Sequence, residues 1–196
     1  MERCVIWKHI SSSHAIKDKM HKKTQIWVET VIYTLIILVI IGVLIALLRP
    51  AIEEKKDQVL LDKSADMLNA IDNAIEDLRF YGAGNSAPVE IQITKGKIVI
   101  NGEQDYILFT TRSNYMYSEL NETISRGKLN VTTVSKGKDY EVTFTLYYRG
   151  LVNITWNRQD IEKTINYAPN VQRIWIANYG RNVNNPGELI NIDLNS

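Results

Sequence analysis

IWVETVIYTLIILVIIGVLIALL, residues 26–48, holds a single charged side chain, Glu29. As an α-helix these 23 residues rise roughly 34 Å, enough to cross a hydrocarbon core of about 30 Å. The core helix of a water-soluble protein would show a polar stripe over such a length, and no stripe interrupts the run from Val31 to Leu48. A cleavable signal peptide has a shorter apolar region, about 7–15 residues, ending in small residues. Here the run ends in Leu47-Leu48-Arg49-Pro50. The segment is therefore expected to remain attached as a transmembrane helix.

On its amino side, residues 1–24 carry six basic side chains, among them Lys17, Lys19, Lys22 and Lys23, against Glu2 and Asp18, a net charge of +4. The whole chain is +1, so the remainder is acidic by −3 and offers no basic surface for nucleic acid. The lysine crowding predicts a cytoplasmic N-terminus, with residues 50–196 outside the cell as a single-pass membrane protein. The only cysteine, Cys4, and all three histidines, His9, His14 and His21, fall in this basic leader. Residues 25–196 thus lack thiol and imidazole, the groups that most often serve disulfides, metal ligation and proton transfer near neutral pH. No catalytic residue, metal site or cofactor is expected.

On the carboxyl side Ile52, Val59, Leu60, Met67, Leu68, Ile71, Ile75 and Leu78 recur mostly at steps of three and four, with Asp62, Asp66, Asp72 and Glu76 between them. This predicts an amphipathic continuation of the helix to about Phe80, its apolar stripe packed on the domain that follows. Residues 81–88, with Gly82, Gly84 and Pro88, read as a linker. Beyond them the period changes to two: Val89, Ile91 and Ile93, and later Tyr140, Val142, Phe144, Leu146 and Tyr148, alternate with polar residues. Six further runs, 98–100, 106–110, 128–134, 151–156, 171–177 and 189–194, are separated by turns such as Lys95-Gly96-Lys97 and Lys136-Gly137-Lys138. The expected fold class is α+β: a long N-terminal helix over 25–80, then an antiparallel β-sandwich-like head over 89–196.

The junction at the start of the apolar run is the informative part. A carboxylate four residues into a membrane helix costs a few kcal/mol at depth and less at the interface, where Lys22 and Lys23 would sit beside it. The sequence Lys22-Lys23-Thr24-Gln25-Ile26-Trp27-Val28-Glu29-Thr30-Val31-Ile32-Tyr33 resembles the N-terminus of archaeal class III prepilins, members of the type IV pilin and archaellin-like superfamily. The resemblance covers residues 20–50 in detail and the rest only as architecture. It implies cleavage by a membrane prepilin peptidase between Thr24 and Gln25, which makes Glu29 the fifth residue of the mature chain, the position where the family carries glutamate. It further implies an assembly role for Glu29, as partner of the freshly exposed amino group of Gln25 on a neighbouring subunit. The family usually has glycine before the cut, and this chain has Thr24. Starting at Met20 would leave a leader of the family's usual length, so residues 1–19 are expected to lie upstream of the true start.

The implied function is a structural subunit of a type IV pilus-like surface filament, with adhesion, motility or DNA uptake as its task. The implied partners are other copies or related pilins, the peptidase and its membrane assembly platform, and the lipid bilayer. Two other readings share the same helix: an uncut, membrane-anchored extracellular binding domain, and a minor pilin or pseudopilin of a secretion or uptake system. In the head, Asn121-Glu122-Thr123, Asn130-Val131-Thr132 and Asn153-Ile154-Thr155 are candidate N-glycosylation sites. Asn130 and Asn153 fall opposite apolar neighbours, the face from which a glycan would project. Trp156, Trp175, Tyr106, Tyr115, Tyr117, Tyr147, Tyr148, Tyr167 and Tyr179 are either core and cross-strand pairs or a carbohydrate-stacking surface. The neighbouring Asp160 and Glu162 are too little, by spacing alone, to define a glycosidase.

Overall fold

The computed structural model describes the backbone of residues 7–181 and 190–195 and the side chains of 27–181 and 191–195. Among the described residues one helix, α1 (Trp7–Tyr81), is followed by ten strands. They are β1 (Ser86–Ile93), β2 (Lys97–Asn101), β3 (Tyr106–Ser113), β4 (Thr123–Arg126), β5 (Leu129–Lys136), β6 (Asp139–Tyr147), β7 (Val152–Trp156), β8 (Glu162–Ile165), β9 (Ala168–Gly180) and β10 (Ile190–Asn195). The chain divides into two compact units, residues 1–51 and 52–196.

Among the described residues the first unit is helix alone. From Trp27 to Leu48 its large apolar side chains are all exposed, and this stretch is long and apolar enough to cross a membrane. The helical backbone also takes in residues 7–24, so nothing non-helical separates the basic leader from the apolar run. The leader's cysteine and histidines lie outside the residues whose side chains are described.

The second unit is an α+β fold. A four-stranded sheet runs β1-β9-β10-β7 and a six-stranded sheet runs β4-β5-β6-β3-β2-β8. Alternation puts one face of each in a shared core: Ile91, Ile174, Ile176, Ile192 and Ile154 from the first sheet, Ile98, Ile107, Phe109, Phe144 and Val131 from the second. The helical stripe Leu61, Ala65, Leu68, Ile71, Ile75 and Leu78 belongs to the same cluster. Its steps of four, three, three, four and three hold one face of a 3.6-residue helix toward the strands.

Several expectations need correction. Ile52 and Val59, assigned to the buried stripe, are exposed, and Leu61 is fully buried instead. The linker is only 82–85, because Ser86, Ala87 and Pro88 already pair with β9 at Ala177, Ile176 and Trp175. Proline is tolerated there because β1 is an edge strand whose other side needs no donor. The strand pairing is mixed, since β10 lies parallel to β7 while every other named pair is antiparallel. Between those two strands the chain leaves to place β8 on the edge of the other sheet and returns through β9, so β10 arrives in the same direction as β7. Strands β4 and β8 had no counterpart among the eight apolar runs.

The helix ends by an identifiable device. Gly82, at φ +87°, donates its amide to the Leu78 carbonyl at 3.1 Å, a single-bond left-handed cap. Buried Asn178 of β9 donates its side-chain amide to the same carbonyl at 2.8 Å. The Asn178 carbonyl accepts the Gly84 amide at 2.7 Å and its amide bonds the Asn85 carbonyl at 2.9 Å. One residue thus ties the helix end, the connection and the sheet together.

Candidate functional site

Glu29 is exposed on α1, the one carboxylate in the stretch from Trp27 to Leu48. Tyr33, one turn later, donates its hydroxyl to Glu29 Oε1 at 3.4 Å, a long bond within one helix. Thr34 returns its hydroxyl to the carbonyls of Thr30 and Val31 at 3.0 and 2.9 Å. The Thr34 hydroxyl is thus satisfied within the helix, and Glu29 is the segment's one charged side chain. The Thr24-Gln25 bond lies within the helical backbone, and the side chains of Thr24 and Gln25 are outside those described.

Within the head unit, four acidic groups of α1 bond the connections between strands. Asp57 accepts from Lys95 Nζ at 2.9 Å and from the Asn114 backbone and side-chain amides at 2.6 and 2.9 Å. Burial alone would raise its pKa, but these bonds outweigh burial and carry it below the usual carboxylate value. Asp72 accepts the Tyr148 hydroxyl at 2.9 Å in a buried bond, with Lys128 Nζ at 3.7 Å. Burial first, then the Asp72 charge, pushes the Tyr148 phenol well above its ordinary value. Glu76 accepts from Lys128 Nζ at 2.6 Å and Arg79 Nη1 at 2.7 Å. It too is lowered, the two cations overcoming burial. Asp62 accepts the Tyr117 hydroxyl at 3.0 Å. Of these, Asp72 was read as a solvent-facing residue; its burial depends on Tyr148, distant in sequence, which no local pattern reveals.

The three sequons differ in setting. Asn121 is exposed, in a left-handed turn at φ +59°. Asn130 is half-buried and accepts the Ser125 hydroxyl at 2.7 Å. Asn153 does lie opposite buried Val152 and Ile154, but it donates to Asp160 at 3.2 Å and Asn191 at 2.9 Å. Its Thr155 is buried with the hydroxyl on Asp193 at 2.8 Å. The face from which a glycan was to project is thus already engaged at Asn153.

The aromatic set divides in the same way. Trp156 and Tyr148 are core residues, while Tyr147, Tyr167, Trp175 and Tyr179 are exposed. Tyr106 and Tyr147 form an edge-on cross-strand pair with centroids 6.3 Å apart, and Tyr115 and Tyr117 pack edge-on at the same separation. Three cations sit over rings: Arg126 over Tyr117 at 5.4 Å, Arg158 over Tyr179 at 4.6 Å and Lys163 over Trp156 at 5.5 Å. Asp160 and Glu162 bond separate amides, those of Asn153 and Asn101, and do not act as a pair.

Surface cavities of about 470 and 590 Å³ lie where α1 borders β1, and one of about 330 Å³ is bounded by β8 and β9. Among the described residues no three His, Cys, Asp or Glu side chains are grouped to hold a metal ion. No protein-family model, curated protein or solved structure matches the chain.

Proposed function

We propose that this chain is a structural subunit of a type IV pilin-like surface filament, inserted by its apolar helix, trimmed between Thr24 and Gln25 and assembled through that helix. The observation that carries the reading is a helix whose apolar side chains are exposed from Trp27 to Leu48 around one carboxylate, Glu29, followed by a helical half locked into a β-rich head. Lipid covers such a surface before assembly, and neighbouring helices cover it equally well afterwards, because Leu, Ile and Val gain nearly the same burial from either. A carboxylate in that bundle needs a cationic partner. The amino group released at Gln25 supplies one four residues from Glu29, within reach of a neighbour staggered by about one helical turn.

The test is expression of the full chain with Glu29→Ala, followed by shearing of surface polymer and intact-mass measurement of the N-terminus. A filament subunit should lose sheared polymer at least tenfold while its membrane-inserted monomer is unchanged and the mass begins at Gln25. Recovery of the uncut chain with no polymer from the unsubstituted protein would leave a membrane-tethered head in its place.

A further inference from the structure

The cavity of about 330 Å³ between β8 and β9 has a composition unlike the other two. Its lining includes Lys163 and Arg173 and no acidic residue. The cavities beside α1 include Asp66 and Glu90, or Asp77 and Glu90. Arg173 is already paired with Glu90 at 3.1 Å. Lys163, on the exposed edge strand β8, has no carboxylate partner among the described residues and stands 5.5 Å over the ring of nearly buried Trp156.

Asn166 and Gln172 also line the cavity, and neither side chain makes a hydrogen bond among the described residues. Each both donates and accepts, as the vicinal hydroxyls of a sugar do. Tyr167 also lines the cavity and is 64% exposed, so a ring face is open for stacking against the C–H face of a pyranose. The volume is at the lower end for small-molecule sites, about 300–1,000 Å³, and suits one or two sugar rings.

We propose that this cavity binds a carboxylated saccharide, with the carboxylate on Lys163, the hydroxyls on Asn166 and Gln172, and the ring against Tyr167. A phosphate ligand would call for a helix N-terminus or several free arginines, and the cavity offers neither. An acidic peptide would engage the open backbone edge of β8 more than these side chains. The inference is independent of filament assembly, since a tethered head would carry the same cavity, and failure of either leaves the other standing.

The experiment is calorimetric titration of the full chain in lipid nanodiscs with tri-galacturonate, its neutral methyl ester, hexaglutamate and sodium sulfate. Tri-galacturonate should bind saturably, with Kd raised about tenfold or more by Lys163→Gln and by Tyr167→Ala and unchanged by the distant Lys136→Gln. The methyl ester should bind at least tenfold more weakly. Absence of saturable binding, equal affinity in Lys163→Gln, tighter binding of hexaglutamate, or equal binding of sulfate would each overturn the proposal. Lys163 and Tyr167 are exposed, and an unchanged circular dichroism spectrum verifies that both variants fold.

Discussion

Single carboxylates govern how the head responds to acid. Asp57 and Glu76 are held below the usual range in the folded protein, so the unfolded chain binds their protons more tightly. Their stabilisation is complete above the ordinary carboxylate values, about 4, and is lost as pH falls through the lower folded values. Asp105 has the opposite sign. Burial raises it despite the bond it accepts from the Ile154 amide, and nearby Asp160 adds to the rise, so its protonation relieves the fold on the way down. Denaturant titrations followed by tryptophan fluorescence should find Asp57→Asn less stable than the parent at pH 7. That deficit should shrink as pH falls below the ordinary carboxylate value and through the lower folded one, where the parent loses the same charge. Tyr148→Phe removes a buried donor from Asp72 and should cost about 1–3 kcal/mol, read as a lower denaturant midpoint. Where glycan is attached to the folded head, mass spectrometry of its peptides should find exposed Asn121 occupied ahead of Asn153, whose two side-chain bonds a glycan would break.

Among the elements, the turn between β1 and β2 is the least tolerant of change. Gly96 has φ +94°, and a Cβ there would stand 2.4 Å from the Thr110 carbonyl oxygen and 2.7 Å from Thr111 Cβ. Gly127 has φ +67° with open space around it. Gly127→Ala should therefore cost only the left-handed penalty of about 1–2 kcal/mol. Gly96→Ala adds a backbone clash and should cost clearly more, a contrast that thermal unfolding of the two variants measures. That turn was legible in Lys95-Gly96-Lys97, and most of the sheet was legible in its alternating runs. What the sequence concealed follows from neighbours. β4, Thr-Ile-Ser-Arg, and β8, Glu-Lys-Thr-Ile, lie at sheet edges with one partner each, so they need little apolar surface and leave no alternation to read. Asp72 stood among the polar positions of the helix because the group that buries it, Tyr148, comes from another element, and Asn178, which holds Leu78, fell just beyond the run read as 171–177. Tyr33 sits at the i+4 spacing from Glu29, a pairing that spacing alone could have flagged.

At the scale of the whole molecule, helix α1 has two halves of different chemistry. Residues 52–81 are bound to the head by core packing and by the Asp57, Asp72 and Glu76 contacts, whereas the described side chains of the apolar run before them are exposed. Pro50 lies within this helix and has no amide hydrogen, so the Ala46 carbonyl four residues back lacks its intrahelical donor. An oxygen in that condition is costly in hydrocarbon and nearly free of cost where water reaches it. Glu29 makes the same demand at the opposite end. The 17 steps between them span about 26 Å of helix, slightly less than the oily thickness of a bilayer. In a bilayer, the two thirsty points would act as waterlines fore and aft, fixing how low this rod floats. An extra turn inserted between them should make it lean rather than sink.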